Sequence, residues 1–511
     1  MQAVILAGGK GTRLASRLNG LPKPLVNVGG VPLLARQVRM LEAAGVDDVI
    51  ILVNHRADAI RAFFDGWRGA RITLIDDGEP KGTAGAVLAV VDGFADQFVV
   101  VYGDTLFDID LQHMRAEHDN SGADVTLFLH PNDHPQDSDL VEVDRDGWIT
   151  AFHPYPHPDG RDFRNLVNAA FYICNRAALE AWRNLSGNPD FAKDLFPTML
   201  QSDARLRGYV STEYIKDLGT PARLDKVERH LREGRLERAS RRRPQGAVFV
   251  DRDGTLNVLR GYVLSPDEME LLPGSADGVR RLNDVGMKVV AVTNQPVLAR
   301  GDCDWRMLDL IHARLDMLLG ARGAYLDDLR VCPHHPDGGF EGERAALKIV
   351  CDCRKPAVGL ILDACRDWNL EPKASWMIGD STADMGAAAA AGATSILVLT
   401  GEGGRDGKHE AMPDFIVRDF EAAVDFVVEG MGRLEQRVAT VLEAVALDAP
   451  ISIECVLEGQ GRALQAALRR MGRVAVGVET GADGPSEGAV LVVNNLKQAV
   501  VLGDLGLEWS F

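Results

Sequence analysis

The tightest constraint in this 511-residue chain lies at Ala247–Asn257, Ala-Val-Phe-Val-Asp-Arg-Asp-Gly-Thr-Leu-Asn. Ala247–Val250 is a short apolar run bounded by turn residues, the pattern of a buried strand. Asp251 and Asp253 follow it, and side chains at i and i+2 of an extended segment point the same way. Two carboxylates aimed into one crevice repel each other, and a cation between them relieves that repulsion. Such a pair at the carboxyl end of a strand is poised for nucleophilic and acid/base work, in a sheet that binds ligands at its strand ends. An isolated D-x-D would be read as an acidic turn; the full D-x-D-G-T-L behind an apolar strand is far more specific.

This stretch resembles motif I of the haloacid dehalogenase (HAD) phosphatase superfamily. The resemblance implies that Asp251 attacks phosphorus and carries an aspartyl-phosphate. It implies that Asp253 is general acid and base, with magnesium between the two.

At this length one core is too few, and about three domains are expected. The net charge of −18 and pI near 5.2 argue against a general nucleic-acid or anionic-membrane binder. No stretch approaches the ~20 apolar residues of a membrane span. The start, Met1-Gln2-Ala3-Val4-Ile5-Leu6, has no basic leader and reads as a first strand. Seven cysteines, three of them clustered, fit a reducing cytoplasm and a metal site better than a disulfide frame.

In the first segment, residues 1–230, strand Ala3–Leu6 runs into Ala7-Gly8-Gly9-Lys10-Gly11-Thr12-Arg13-Leu14. Glycines let backbone N–H groups approach a phosphate chain, and Lys10 and Arg13 add positive charge. The spacing is not that of a Walker loop, and alone it is weak. Support comes from Leu21-Pro22-Lys23-Pro24-Leu25, where two prolines stiffen the chain around one lysine. Helical spacing over Leu33–Ala44, strands Val49–Val53 and Phe98–Tyr102, the turn Gly82-Thr83-Ala84-Gly85, and aspartates at Gly103-Asp104 and Lys216-Asp217 complete the pattern. Strands alternating with helices predict a doubly wound parallel sheet.

Together these segments resemble the sugar-1-phosphate nucleotidyltransferases. The resemblance implies that Gly8, Gly9, Gly11, Thr12 and Arg13 hold a nucleoside triphosphate, with Gly82 and Thr83 near the base. Lys23 would contact phosphate at the reacting centre, and Asp104 and Asp217 would hold magnesium. A sugar phosphate oxygen would attack the α-phosphorus and release pyrophosphate. Asn168-Ala169-Ala170 resembles the family's sugar-contacting segment, with Ala170 in place of glycine. Ala192 stands where many members carry glutamate, which puts glucose-type specificity in doubt. The wording of Val101–Phe107 and Lys216–Leu224 looks most like heptose-1-phosphate guanylyltransferases.

Residues 231–245 are rich in arginine (Arg232, Arg235, Arg238, Arg241, Arg242, Arg243) and read as a solvated basic linker, since no aromatics interleave them. Residues 246–428 hold the HAD-like segment. Thr293-Asn294-Gln295 ends the strand Lys288–Val292 and resembles motif II, which makes Thr293 a phosphate contact and Asn294 a second substrate contact. Cys332-Pro333-His334-His335 and Cys351-Asp352-Cys353 offer three thiols and an imidazole, a set that suits structural tetrahedral zinc. The resemblance selects His334 over His335. Arg354 and Lys355 follow the last cysteine; Lys355 resembles motif III, and Arg354 is placed to take a second anionic group. Gly379-Asp380-Ser381-Thr382-Ala383-Asp384 resembles motif IV. The expected magnesium ligands here are Asp251, Asp253 and Asp380, with Asp384 supporting them or merely opening a helix. The zinc loop with Arg354-Lys355-Pro356 resembles D,D-heptose 1,7-bisphosphate 7-phosphatases, and histidinol-phosphate phosphatases share the frame.

Residues 429–511 carry no recognised motif. Helices over Leu434–Ala446 and Arg462–Met471, strands at Val474–Val478, Ala489–Val493 and Ala499–Leu502, and a core Cys455 describe a small α/β or oligomerisation module. The expected fold class is α/β: two doubly wound, Rossmann-like domains plus this module. The expected function is a cytoplasmic bifunctional enzyme. It would remove the 7-phosphate of heptose 1,7-bisphosphate and transfer a nucleotidyl group, GMP from GTP by resemblance, to heptose 1-phosphate. Magnesium and zinc are the cofactors, sugar phosphates and a nucleoside triphosphate the partners, with no nucleic acid or membrane; oligomeric state stays open. A hexose-1-phosphate nucleotidyltransferase joined to a histidinol-phosphate-type phosphatase, and a non-catalytic sugar-nucleotide scaffold, are the alternatives.

Overall fold

A computed structural model of the chain describes residues 1–9, 11–18, 20–430, 432, 451–455, 466–468, 470–471, 475–480, 489–493 and 498–502. Lys10, the expected helix Leu434–Ala446, most of Arg462–Met471 and the side chain of Cys455 lie outside the described residues. The chain divides into two compact units, Met1–Arg243 and Pro244–Phe511.

The second unit is built on a six-stranded, all-parallel sheet. Its spatial order is Asp328–Cys332, Lys288–Asn294, Ala247–Val250, Trp376–Gly379, Thr394–Val398, Phe415–Val417. Counted along the chain this is 3-2-1-4-5-6, the doubly wound order whose crevice opens where the order reverses, between strands 1 and 4. Every residue of Ala247–Val250 is buried, and alternate side chains feed opposite cores. Val248 and Val250 pack against helices Ser275–Val285 and Trp305–Gly320. Ala247 and Phe249 pack against Gly359–Trp368 and Thr382–Ala391. A sheet covered on both faces explains why the strand reads as a continuous apolar run rather than an alternating one.

The first unit holds a nine-stranded sheet. From the edge inwards, its strands Arg71–Asp76, Asp48–Val53, Gln2–Leu6 and Gln97–Tyr102 run parallel. Val167–Asn175 then pairs antiparallel with Gln97–Tyr102, so this sheet is mixed and not wholly parallel as expected. Ala3 and Ile5 face one core and Val4 the other. The chain order again reverses beside the first strand, which sets the glycines after Leu6 next to Gly103 and Asp104 after Tyr102.

The arginine-rich stretch is packed into the first unit. Arg235–Ala239 is helical, Leu236 is buried beside Leu14 and Leu224, and Arg242 pairs with Asp108 at 3.5 Å and donates to the Ile109 carbonyl at 3.1 Å. Beyond residue 450, strands Ile451–Cys455, Ala475–Thr480, Ala489–Val493 and Gln498–Leu502 form one sheet. The first of these was not anticipated. Ala466, Ala467 and Leu468 are buried in the second unit's core, and the Arg470 guanidinium lies 4.5 Å from the Trp376 ring centroid.

Candidate active sites

Strands 1 and 4 of the second unit end at Asp251 and Asp380, so the fold delivers two carboxylates to one crevice. Asp251, Asp380 and Asp384 have ligand oxygens within 4.8 Å of one another, and all three are buried. A single ammonium serves them: Lys355 Nζ lies 2.6 Å from Asp251 Oδ1, 2.6 Å from Asp384 Oδ1 and 2.7 Å from the Val292 carbonyl. Asp384 Oδ2 also accepts from the Ser381 backbone N–H and hydroxyl, closing a capping box on helix Thr382–Ala391. The lysine's own backbone is clasped by Asn294, which donates to the Lys355 carbonyl at 3.1 Å and accepts its N–H at 3.0 Å.

Burial raises the Asp251 carboxyl above its usual range; Lys355 pulls it down, and the Asp384 and Asp253 charges push it up again. Asp380 is raised by burial, then by Asp251 and Asp384. Three desolvated carboxylates against one ammonium leave a deficit of positive charge that a divalent cation would satisfy. The space around Asp380 is closed by glycines. Gly254 and Gly401 have φ of +85° and +55°, and a Cβ on either would collide with Asp380 Oδ2.

Asp253 stands apart from this trio. Its carboxylate accepts from Arg252 Nη2 at 2.7 and 2.9 Å, Asn257 Nδ2 at 3.0 Å and Gln295 Nε2 at 2.8 Å. Burial opposes its charge, but Arg252 and these hydrogen bonds outweigh that and hold the carboxyl below its ordinary value. Asp253, expected among the magnesium ligands, is not part of the Asp251, Asp380 and Asp384 group, and its oxygens are engaged by three neighbouring side chains. Arg252 is itself fully buried, with Nη1 3.1 Å from His312 Nε2.

Cys332, His334, Cys351 and Cys353 form a second cluster, again within 4.8 Å. The Sγ–Sγ separations are 3.6, 3.2 and 3.3 Å, and His334 Nδ1 lies 3.2 Å from Cys353 Sγ and 3.9 Å from Cys332 Sγ. Tetrahedral zinc at about 2.3 Å from sulfur and 2.0–2.1 Å from nitrogen requires roughly 3.8 and 3.6 Å, so the four donors fit a zinc ion with small adjustments. His335 is outside the cluster; its Nδ1 accepts from the Asp337 N–H. Arg354 Nη1 donates to the His334 carbonyl at 3.2 Å, which ties the cluster to the catalytic crevice it borders.

In the first unit a cavity of about 530 Å³ opens at the corresponding strand ends. Gly8, Gly9, Lys23, Gly82, Thr83 and Asp104 line it. Lys23, on the turn set by Pro22 and Pro24, is ion-paired to Asp104. The Thr83 hydroxyl is engaged, donating to Asp190 at 2.7 Å and accepting the Phe191 N–H at 3.1 Å. Strand pairing puts Asp217 opposite Thr105, and the Leu218 N–H donates to the Asp104 carbonyl. Asp217 accepts from Arg223 at 2.8 Å; burial resists its charge, yet Arg223 and the Gly219 N–H lower the carboxyl overall.

Gly11, Thr12, Arg13, Asp217 and Asn168 are not among the residues lining that cavity. Asn168 closes a local turn, accepting the Ala170 N–H and donating to the Tyr172 hydroxyl, while Ala170 sits at φ +55°. Thr293 is buried and accepts from Gln295. The sequence reading missed Arg252, Asn257 and Gln295 around Asp253, Asn54 and Asp77 in the first cavity, and Lys408 and His409 on the rim of the second. Gln295 directly follows the phosphate motif, and that adjacency was the one available signal.

The Nucleotidyl transferase family matches residues 2–234, and the HAD-hydrolase-like family matches residues 352–423. The D-glycero-beta-D-manno-heptose-1,7-bisphosphate 7-phosphatase of Yersinia pestis is 37% identical over 193 residues, which are 38% of this chain and 94% of that protein. Its Escherichia coli K12 counterpart is 38% identical over 193 residues, 38% of this chain and 93% of that protein. HddC from Yersinia pseudotuberculosis, solved with GMP-PN, is 26% identical and covers 45% of this chain and 99% of its own, with a TM-score of 0.39. The second unit thereby belongs to the HAD-like family of the heptose bisphosphate phosphatases, and with a nucleotidyl transferase domain before it the chain is an enzyme of two catalytic domains.

Proposed function

We propose that this chain makes a nucleotide-activated heptose in two steps, first removing the 7-phosphate of D-glycero-D-manno-heptose 1,7-bisphosphate, then coupling the remaining 1-phosphate to GMP from GTP. The observation that carries the reading is the Asp251–Lys355–Asp384–Asp380 constellation, in a unit akin to heptose bisphosphate phosphatases along nearly their whole length.

In the phosphatase, Asp251 is the nucleophile. Lys355, two 2.6 Å contacts from Asp251 and Asp384, keeps it oriented and offsets negative charge as the phosphoryl group arrives. Asp253 protonates the departing sugar oxygen, then takes a proton from the water that opens the aspartyl-phosphate. Arg252, Asn257 and Gln295 fix where it points. Asp251 and Asp380 hold magnesium, which supplies charge neutralisation for the transferring phosphoryl oxygens. Cys332, His334, Cys351 and Cys353 hold zinc, which staples the loop carrying Arg354 and Lys355.

In the transferase, the glycine loop at Gly8, Gly9 and Gly11, with Thr12 and Arg13, cradles the triphosphate, and Gly82 and Thr83 lie by the base. Lys23 meets phosphate at the reacting centre, Asp104 and Asp217 hold magnesium, and Asn168 stands on the sugar side. Alignment and charge neutralisation are what this reaction needs from the protein. The guanine base rests on the resemblance of Val101–Phe107 and Lys216–Leu224 to heptose-1-phosphate guanylyltransferases. The product is a donor for surface glycans such as lipopolysaccharide, made in the cytoplasm.

One reaction tests this: heptose 1,7-bisphosphate, magnesium and each nucleoside triphosphate in turn, read by mass spectrometry. A GDP-heptose formed only with GTP is expected. Phosphate release without any sugar nucleotide overturns the transferase half, and no phosphate release overturns the phosphatase half.

A further inference from the structure

Asp251 and Asp253 both line the crevice, and the alternation of an extended segment sends Arg252, between them, the other way. Its side chain is buried completely. The turn that follows holds its backbone: the Arg252 carbonyl accepts the Leu256 N–H at 2.9 Å and the Asn257 N–H at 3.0 Å. The guanidinium curls back to its neighbour, with Nη2 2.9 and 2.7 Å from the two Asp253 oxygens and Nε 3.2 Å from Oδ1. Asn257 and Gln295 each donate to one Asp253 oxygen, whereas the arginine spans both. A rotation of the guanidinium therefore carries the carboxylate with it.

What stops that rotation is on a different element. The other terminal nitrogen, Nη1, lies 3.1 Å from His312 Nε2, 60 residues along the chain. An arginine stays protonated, so the guanidinium donates and this ring nitrogen accepts. The imidazole thus brings no charge to offset the buried cation, which Asp253 already does; it brings direction. A planar guanidinium bound to Asp253 on one side and held by His312 at the opposite corner keeps one orientation. His312 is 2% exposed, on helix Trp305–Gly320. Ile311, Leu315 and Leu319 of that helix pack in one core with Val248 and Val250, the strand that ends at Asp251. The same helix therefore backs the nucleophile's strand and sets the angle of Asp253.

We infer that His312 is a positioning residue of the phosphatase, which through Arg252 aims Asp253 at the oxygen leaving the phosphoryl group. The inference rests on the phosphatase reading above, in which Asp253 is the acid. In that step the bond from Asp251 to phosphorus forms as the bond from phosphorus to the sugar oxygen breaks. The electron pair stays on the sugar oxygen, which takes the Asp253 proton. A positioned acid contributes about 10²–10⁴-fold to such a step, and a displacement of about 1 Å forfeits much of it.

The test compares two substrates on the full chain with magnesium. Heptose 1,7-bisphosphate has a leaving sugar oxygen that must be protonated; 4-nitrophenyl phosphate has a phenolate that leaves without a proton. The readout is kcat/KM, which covers the steps up to the aspartyl-phosphate and not its hydrolysis. His312→Leu is expected to lose about tenfold or more on the bisphosphate and less than about threefold on the aryl phosphate. His312→Gln, which offers an oxygen near the place of Nε2, restores most of that loss. Should calorimetry show that His312→Leu does not fold, Arg252→Lys decides instead: it keeps the charge, loses the planar group and is expected to show the same selective loss. Equal losses on both substrates, or no loss on either, overturn the inference and leave the phosphatase reading standing, with His312 a packing residue only. A wild-type enzyme that cleaves neither substrate overturns both.

Discussion

Lys355 is the residue whose removal the structure prices most directly. It is 4% exposed and, among the described residues, is the one ammonium paired within the Asp251, Asp380 and Asp384 group, themselves 8% exposed or less. Lys355→Met keeps most of the volume and deletes the charge. Two carboxylates that stood 2.6 Å from a cation are then left buried with none. Breaking one buried pair costs about 3–5 kcal/mol, because the surviving charge stays desolvated. For a unit of this size, each kcal/mol corresponds to about 2–4 °C, so the second unit is expected to melt about 6–20 °C lower in metal-free buffer. Differential scanning calorimetry of the full chain reads this, with the first unit's transition as internal control. The partner change Asp384→Asn should be costly alone yet cost little on top of Lys355→Met, a coupling of about 1–3 kcal/mol in the double-mutant cycle. A loss below about 1 kcal/mol with additive single changes would refute the reasoning: it would mean that the crevice is wet enough for water to replace the lysine.

Other outcomes follow from single features. Gly254→Ala forces a left-handed backbone, about 1–2 kcal/mol, and drives a methyl into Asp380; phosphatase turnover should fall at least about a hundredfold while nucleotidyl transfer persists, in parallel assays. Cys351→Ser should lower bound zinc from about one equivalent, measured by elemental analysis, and destabilise the second unit only. His230 is 4% exposed with an unpartnered Nε2, and burial, then the Arg235 charge, depress it to about 3. Its folded value lies below the ordinary ~6.5, so the stability it contributes is present above pH ~6.5 and lost as pH falls towards about 3. His230→Phe should flatten that part of the first unit's stability-against-pH curve.

What was legible in the sequence is what the chain fixes between near neighbours. The strand ends carrying Asp251, Thr293 and Asp104 are apolar runs followed within two residues by the acids and hydroxyl they present, and each strand was placed to within two residues. The grouping of Cys332, His334, Cys351 and Cys353 was legible because two short loops hold all four. What was hidden depends on partners far along the chain. Arg252 reads as a surface residue between two aspartates, yet the fold closes His312 over it from 60 residues away. The hold of Gln295 on Asp253 reaches across 42 residues and left no mark beside the aspartate. Arg232, Arg238, Arg242 and Arg243 are exposed as the charged run implies, and what it hid is Leu236, the one apolar residue that docks the stretch on the first unit. The antiparallel entry of Val167–Asn175 left no local mark, since strand direction is decided by the connection and not by the strand.

The 3-2-1-4-5-6 strand order also governs how the second unit is made. Its first strand to leave the ribosome, Ala247–Val250, ends as a central one. One edge is covered once Lys288–Asn294 arrives, but the other waits for Trp376, which pairs with Val248 across 128 residues. At about 5–20 residues per second, that edge of an all-apolar strand stays open for roughly 6–26 s of synthesis. During that interval the nascent chain carries a hydrophobic strand with unpaired backbone groups next to a first unit whose own sequence is already complete. The arrangement that brings Asp251 and Asp380 together in the finished enzyme therefore makes the segment between them the stretch of translation most exposed to misassociation.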